Sequence, residues 1–478
     1  MRRPLIHTSF VRRAAFAGCL ALVGCTSSDG PVDPADIDFP APTTSSTTAA
    51  SQLDPPVAST AVPDTLPVGG SVSVGLWSEP DPAAETLVGA MVRGLVYPQL
   101  FEPSPSGGWT PGLVEPDSDV DGPEVRSANF RLRDGAVWSD GTPITMADLG
   151  RTADTRFVTD LIAEDDGSIT VTFNQPLPNW RRLWSGDAVV LPADDGVYGG
   201  PFRVASMVDG LETVLVRNER WWGTPAALDE LRLVVVPDQR IQFELFERGE
   251  LDVLAPLPTS GRSAIVADLT GASVVSAPGE GWWFGLTIDP SEVNRNDRLA
   301  LQNAADAEAW VGALLKDEAV HVTSLGGTPV DVPFRGPDEV SNPISLVAPP
   351  DLPLIGLAQR AVLLPVRDDG GLVPELREGI SLDAEPWGRE SDAYLGLHWD
   401  GPGGPCWTCR FESTDGVAMR LADAGGAPPD QLLADQGTVQ PWYRPIVMTV
   451  FRSEVGGVEA NGWALGPVWN AERWFRTD

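Results

Sequence analysis

The stretch FRLRDGAVWSDGTPITMADL, from Phe130 to Leu149, contains the most regular local pattern in the chain. Tight turns at Asp134-Gly135 and Asp140-Gly141 bracket the short segment Ala136–Trp138, which predicts a strand between two turns. Two turns so close together leave room only for short elements. The stretch therefore indicates compact packing in a fold that combines helices and strands.

A helix start follows directly. Thr145 and, three residues later, Asp148 form a capping-box pattern, which predicts a helix that runs towards Phe157. Elsewhere the apolar periodicity switches repeatedly between that of helices and that of strands, as in α/β folds. It predicts helices over 85–95 and 240–249 and strands over 168–173 and 231–236.

Length and charge limit the possible functions. A chain of 478 residues exceeds what one hydrophobic core usually serves, so we expect two or three domains or lobes. Its formal net charge of −34 repels nucleic acids and anionic membrane surfaces and favours a monomer. A role in binding DNA or RNA is therefore excluded.

The N-terminus has the pattern of an export signal. Four arginines precede an apolar run over 14–23, which is too short to span a bilayer, and Leu22-Val23-Gly24-Cys25 resembles the bacterial lipobox. The resemblance implies that residues 1–24 are removed and that Cys25 carries fatty acyl chains such as palmitate. The alternative is an ordinary signal peptide with a chance cysteine. Both Sec and twin-arginine export remain open.

Residues 25–68 are rich in Pro, Ser, Thr, Ala and Asp and contain few large apolar residues. Such a composition cannot bury enough surface to fold, so we expect a disordered tether. On flexible-chain scaling its reach is ~35 Å, enough to hold a domain clear of lipid headgroups. The folded part then begins at Gly69, just before an alternating strand pattern.

The quoted stretch resembles a segment of the family 5 extracellular solute-binding proteins of bacterial ABC importers, which include dipeptide, oligopeptide and nickel receptors. In that family a strand that ends in Trp-Ser-Asp-Gly-Thr-Pro leads to a capping threonine, as at 138–145 here. The resemblance is dense up to Asp306 and thinner afterwards. Other segments that resemble family motifs occur in the family's order at 69–70, 94–101, 111–113, 200–204, 214–223, 247–253 and 298–306.

The resemblance implies an α/β class II periplasmic-binding-protein fold with two lobes, a hinge and a small domain inserted in lobe one. It assigns 69–255 to lobe one, with the insert at about 94–184, and 256–435 to lobe two. Residues 436–478 return to lobe one. The quoted stretch falls in the insert, so its turns and helix are expected to serve packing rather than ligand binding.

The implied function is that of a lipid-anchored substrate-binding protein on the outer face of the cell membrane, in the extracytoplasmic or periplasmic space. It would capture peptides or similar small solutes between two closing lobes and deliver them to an ABC permease. The alternative is an envelope lipoprotein of the same fold that binds a glycolipid or a protein partner and regulates cell-wall assembly without transport. Neighbouring permease genes would favour the first.

Asp400 is the candidate anchor for the α-amino group of a peptide. The family places an acidic anchor in Gly-Trp-x-x-Asp, and the corresponding segment here is Gly-Leu-His-Trp-Asp at 396–400. A carboxylate in a cleft would pair with an ammonium group through charge-assisted hydrogen bonds. The alternative is a solvated loop aspartate, because the chain carries many acidic residues.

Four of the 17 tryptophans are candidate ligand contacts. Trp282 and Trp283 lie on a strand expected to reach the cleft, and Trp399 and Trp407 lie in or beside a loop rich in Gly and Pro. An indole ring can stack on a ligand and donate a hydrogen bond, but each ring can equally well pack in a core.

Cys406 and Cys409 have the Cys-x-x-Cys spacing of redox motifs. No thioredoxin-like βαβ pattern surrounds them, and export favours oxidation, so we expect a disulfide that stiffens the cleft loop. Only two histidines remain after removal of the signal, so neither a metal site nor a cofactor is predicted. Motifs of hydrolases and metalloproteases are absent from the sequence, so we predict that the chain is not an enzyme.

Overall fold

The structure is a computed structural model that describes part of the chain. The described residues are 67–304 and 437–477, without 85, 123–124, 178, 260 and 289–292, together with 315, 318–321, 324–325, 328–329, 346–347, 393–399 and 401–402. The predicted signal peptide, Cys25 and all of the tether up to residue 66 lie outside them.

The elements are mostly short strands. In chain order these are β1 (Ser71–Leu76), β2 (Phe101–Pro103), β3 (Trp109–Pro111), β4 (Val120–Asp121), β5 (Ser127–Phe130), β6 (Val158–Ala163), β7 (Ile169–Phe173), β8 (Phe202–Val208), β9 (Glu212–Arg217), β10 (Glu230–Val235), β11 (Val253–Leu254), β12 (Ala272–Pro278), β13 (Trp282–Ile288), β14 (Ala319–His321), β15 (Ser324–Leu325), β16 (Thr328–Pro329), β17 (Leu346–Val347), β18 (Ala393–Trp399), β19 (Val439–Arg452), β20 (Val455–Gly456) and β21 (Phe475–Arg476). The α-helices are α1 (Leu87–Val96), α2 (Met146–Thr152), α3 (Gln239–Arg248), α4 (Arg262–Ala267) and α5 (Arg295–Ala304), and short 3-10 helices cover Trp180–Trp184 and Ala471–Arg473.

In the part of the chain that the structure describes, eleven strands form one mixed sheet in the order β17-β18-β13-β19-β11-β1-β10-β9-β8, with β12 and β14 also paired to β19. Strand β1 lies parallel to β10 and β11, and its Val72, Val74 and Leu76 are fully buried. Strand β19 pairs with β11 near its C-terminal end and with β13 near its N-terminal end. We call β1 and β8–β11 the first half of the sheet and β12–β14, β17 and β18 the second half; β19 belongs to both.

A separate four-stranded sheet, in the order β4-β5-β7-β6, packs on a hydrophobic core of its own between residues 100 and 190. Trp180 lies at its centre, where it stacks on Phe130 with ring centroids 5.8 Å apart and meets Phe101 edge-on. Trp138 is also buried in this core, and the ring packs on Gly199. The quoted stretch therefore contributes to packing, as predicted.

Within the stretch Phe130–Leu149 and the helix that follows it, the structure differs from the prediction in two places. The predicted strand over Ala136–Trp138 is wrong: only an isolated bridge joins Val137 to Pro143, because the two turns leave no length for a ladder. The capping box is confirmed, with the Thr145 N–H donating to the Asp148 carboxylate at 2.6 Å. However, α2 ends at Thr152. Asp154 starts a turn there, because it accepts hydrogen bonds from the backbone N–H groups of residues 156 and 157.

The predicted periodic segments are confirmed as α1, β7, β10 and α3, with ends shifted by a residue or two. Helix α3 shows why the sequence pattern predicted these elements correctly: residues at its two ends fix where it begins and ends. The Asp238 side chain accepts from the first N–H groups of the helix, and Gly249 ends the helix at φ 78°, a conformation that favours glycine. None of the helices within the described residues is long and apolar enough to cross a membrane.

Within the described residues, two segments cross between the halves, residues 255–259 after β11 and the middle of β19. Arg262, at the start of α4, joins them: the guanidinium donates to the carbonyl of Pro256 at 2.9 Å and to that of Ile446 at 3.1 Å. It also forms an ion pair of 2.7 Å with Glu318, and the two side chains are only 0% and 6% exposed. A buried pair with this many partners fixes both crossovers relative to the second half.

Candidate ligand-binding site

Trp282 and Trp399 meet at the edge of the second half. They are opposite each other in the antiparallel register of β13 and β18, and they are 4% and 7% exposed. The indole N–H of Trp282 donates to the carbonyl of Ala464 at 2.9 Å, and that of Trp399 donates to the carbonyl of Trp463 at 2.8 Å. Both rings are therefore held by the C-terminal segment that returns after β19.

The 3-10 helix Trp180–Trp184 and the residues that follow it contact the same place. Arg182 donates to the carbonyl of Trp399 at 3.1 Å, and the guanidinium lies 5.3 Å from the centre of the Trp399 ring. Gly186 lies under this ring at φ 69°, and a Cβ there would be 2.2 Å from it. We call Trp282, Trp399, Arg182, Gly186 and residues 461–464 the tryptophan junction.

A mostly apolar cavity of about 80 Å³ adjoins Trp282, and we call it the crossover cavity. Its lining comes from Trp77 and Met91 in the first half, from both crossover segments and from Trp282 in the second half. Its volume is small compared with that of sites for drug-sized ligands, which is roughly 300–1,000 Å³. In this arrangement it can therefore hold only one side chain or a few waters.

Trp77 supplies an unused donor to this place. The residue is 7% exposed, and its indole N–H has no hydrogen-bond acceptor among the residues that the structure describes. A buried donor without a partner is costly. The crossover cavity is lined mainly by apolar residues, with Thr449, Glu459 and Asn461 among the polar ones.

The structure brings only some of the predicted site residues together. Trp282 and Trp399 share the junction, whereas Trp283 points to the other face of β13, where it stacks on His398 with centroids 4.0 Å apart. Trp283 is 4% exposed, so both faces of the strand are covered. Asp400, Trp407, Cys406 and Cys409 lie outside the described residues, as does Cys25.

Sequence reasoning missed Trp77, Arg182 and Gly186. Arg182 lies in no family motif, and its partner Trp399 is 217 residues away, so no local pattern pairs them. Trp77 directly follows β1, and the end of a central parallel strand is a common position for ligand contacts, which is a signal that could have found it. Among the described residues, no cluster of His, Cys, Asp and Glu could hold a metal ion.

Comparison with protein families gives a match over the middle of the chain. A model described as bacterial extracellular solute-binding proteins, family 5 Middle, matches residues 109–343. The oligopeptide-binding protein OppA of Mycobacterium tuberculosis is 29% identical over 213 residues, which cover 37% of this chain and 36% of OppA. The probable monoacyl phosphatidylinositol tetramannoside-binding protein LpqW of the same organism is 27% identical over 248 residues, 44% of this chain and 36% of LpqW. The chain thus spans about a third of the length of these curated relatives.

Solved structures match over a larger share of the chain. The oligopeptide-binding protein AppA from Bacillus subtilis, in complex with a nonapeptide, superposes with a TM-score of 0.68 at 13% identity and covers 87% of this chain and 100% of that one. At this identity the likeness shows the fold, which is the mixed α/β fold of periplasmic binding proteins. Proteins of the matched family bind solutes and are not enzymes, so the prediction of no enzymatic activity is confirmed. By the match over residues 109–343 and by its fold, the chain is similar to family 5 of the bacterial extracellular solute-binding proteins.

Proposed function

We propose that the chain is a lipid-anchored receptor that captures peptides between two lobes and passes them to an ABC permease. The observation that carries this proposal is the tryptophan junction with the adjoining crossover cavity, where residues of both halves of the sheet meet. AppA, which has the same fold, is bound to a nonapeptide. OppA, a relative by sequence, is named for oligopeptide binding.

The two halves of the sheet correspond to the proposed lobes. The first half and the four-stranded sheet fall in 69–255, the second half falls in 256–435, and 436–478 contains β19 and the return to lobe one. The separate core around Trp180 supports an inserted subdomain at about 94–184. The crossovers that Arg262 joins are then the hinge, because they are the segments that must bend when the lobes separate.

Closure is favoured only by contacts that exist in the closed state. The hydrogen bond and cation–π contact of Arg182 with Trp399 are of this kind, because they join the insert to lobe two. The crossover cavity is too small for a peptide in this arrangement, so a ligand must enter while the lobes are apart. Affinity for a peptide then depends on the population of open molecules as well as on its contacts.

Asp400 remains our candidate for the amine anchor. The residues on either side of it, Trp399 and Gly401, are both buried at the junction, and Gly401 lies against the rings of Trp399 and Trp109. This position supports a cleft role for the residue between them. Trp407 and a disulfide between Cys406 and Cys409 are proposed to shape the same loop. A diacylated Cys25 would hold the receptor at the outer face of the membrane, where it meets its permease.

A second function is supported by LpqW, whose name refers to binding a monoacyl phosphatidylinositol tetramannoside. The alternative is therefore an envelope lipoprotein that binds a glycolipid and regulates cell-wall assembly. Mass spectrometry of small molecules released from the full chain after extraction from its native membrane separates the two. Peptides support the importer, and a glycolipid enriched over the bulk membrane lipid supports the alternative.

The amine anchor is tested with Asp400→Asn. We expect this change to weaken binding of peptides with free N-termini by about tenfold or more, because a charge-assisted hydrogen bond is lost. Binding of N-acetylated peptides should hardly change. Asp209→Asn, in the exposed turn between β8 and β9, is the matched control. Equal losses for free and acetylated peptides would rule out the anchor.

A further inference from the structure

A second, larger cavity, with a volume of about 300 Å³, is lined by residues between 90 and 224 and between 464 and 473. The C-terminal end of α1, the β2–β3 hairpin, the loop after β9 and the 3-10 helix Ala471–Arg473 build it. A shared wall that includes Met91 and residues 464–466 separates it from the crossover cavity. Its charged lining is unlike the apolar lining of the crossover cavity, so it is suited to a different ligand.

Two carboxylates line this cavity. Glu102 lies on β2 opposite Thr110, and Glu472 lies on the 3-10 helix with its side chain 19% exposed. Burial, followed by the charge of Glu102, raises the pKa of Glu472 to about 7. Glu102 itself is exposed. Because the pKa of Glu472 lies near 7, the two carboxylates do not both hold a full negative charge near neutral pH.

Two arginines share the cavity with them. Arg133 is fixed by donating to the carbonyls of Gly112 and Pro111, at 2.5 and 3.2 Å, and the guanidinium lies 5.8 Å from the centre of the Trp222 ring. The Nε of Arg473 lies 3.3 Å from a carboxylate oxygen of Glu472, but this arginine side chain is 55% exposed. The cavity lining therefore carries both charge signs.

We propose that this cavity binds a small zwitterion, a free α-amino acid, at a site separate from the peptide cleft. The ammonium group lies between Glu102 and Glu472, and the carboxylate faces Arg133 and Arg473. The side chain packs against Trp221 and Trp222, which also line the cavity. The volume is at the lower end of the range for small-ligand sites, which suits an amino acid and excludes a longer peptide.

Binding is linked to a proton. The ammonium group favours the charged form of Glu472, so the carboxyl O–H bond breaks and the proton leaves to solvent. With the pKa of Glu472 at about 7, the free site is half protonated at pH 7, and binding releases about half a proton. The groups that face Glu472 are Glu102 on β2, Arg133 before α2, Arg473 on the same turn and the neutral Tyr97 at the end of α1. Among these, Glu472 is the group whose pKa lies near 7.

Calorimetric titration of the full chain in detergent tests the site with three probes of one shape. L-Phenylalanine carries both charges, phenethylamine lacks the carboxylate and 3-phenylpropanoate lacks the ammonium group. We expect phenylalanine to bind about tenfold more tightly than either, and about tenfold more tightly at pH 8 than at pH 6. Equal affinities for the three probes, no phenylalanine binding at millimolar concentration or no pH dependence would overturn the proposal.

Variants locate the binding. Glu472→Gln should weaken phenylalanine binding by about tenfold and remove the proton release, which is measured by comparing buffers with different ionisation enthalpies. Glu102→Gln should weaken binding similarly, and a thermal melt of each variant checks its folding. Glu247→Gln, on the exposed face of α3, should bind as the unchanged chain does. Unchanged phenylalanine binding in both cavity variants would place the ligand elsewhere, for example in the peptide cleft, and would leave the proposed receptor function standing.

Discussion

Arg182 and Trp399 connect the two proposed lobes through a hydrogen bond of 3.1 Å to the tryptophan carbonyl and a guanidinium placed 5.3 Å from the ring centre. The two residues are separated by 217 positions in the sequence, so the contact exists only when the insert and β18 are brought together. In the proposed receptor, this contact would give lobe closure a specific structural cause.

Arg182→Ala should shift the chain towards an open state. Loss of a charged hydrogen bond and a cation–π contact removes about 2 kcal/mol from the closed form, since each such contact contributes roughly 0.5–3 kcal/mol. Small-angle scattering should report a larger radius of gyration for this variant. Arg203→Ala, at an exposed position on β8, is the control, and an identical radius for all three proteins would contradict the assigned role.

Gly186→Ala tests the close approach of the Trp399 ring. A Cβ at this position would lie 2.2 Å from the ring, so the ring must move, at a cost of about 1–3 kcal/mol. Gly196→Ala is a matched control, because this glycine has φ 75° and no atom within 4 Å of an added Cβ. Both substitutions bear the same backbone strain. A thermal melt should therefore show a clearly larger loss for Gly186→Ala, and equal losses would refute the contact.

Arg262 should be sensitive to loss of its charge. Arg262→Met leaves Glu318 buried without its partner, and breaking a buried pair in this way costs about 3–5 kcal/mol. Arg240→Met removes an exposed helix pair with Glu244 and should cost less than about 1 kcal/mol. Urea denaturation measures both free energies of unfolding. Similar small losses would show that Arg262 does not hold the crossovers.

Glu472 should make stability depend on pH. Its pKa rises from 4.5 in the unfolded chain to about 7 in the fold, so the folded state binds the extra proton between these values. Stability is therefore fully present below pH 4.5 and falls as the pH rises through 7, by about 3 kcal/mol at most. Glu472→Gln should melt higher than the unchanged chain at pH 8 and should lose that advantage near pH 4. A constant difference at both pH values would contradict the raised pKa.

The sequence predicted the parts of the fold that depend on neighbouring residues. The Thr145–Asp148 capping box and the Asp238 and Gly249 caps of α3 are local, so their residue types suffice. The end of α2 was missed because the turn at Asp154 competes with the helix pattern that continues towards Phe157. Local propensity alone could not decide whether the helix continues towards Phe157 or the turn at Asp154 forms.

The candidate site was only partly predictable. Trp282 was named from a strand position and Trp399 from its place in or beside a loop rich in Gly and Pro. Their opposite placement depends on the register of β13 and β18. The cavity with Glu102 and Glu472 was not anticipated, because these residues are 370 positions apart and neither belongs to a charged cluster in the sequence. Contacts of this range follow from the topology of the whole chain.

The most direct test of the receptor is small-angle scattering of the full chain with and without a saturating random library of short peptides. If peptides are held between the lobes, the peptide-bound protein will be more compact, and the change will saturate with peptide concentration. A scattering curve that stays the same at every peptide concentration would show that no peptide draws the two lobes together.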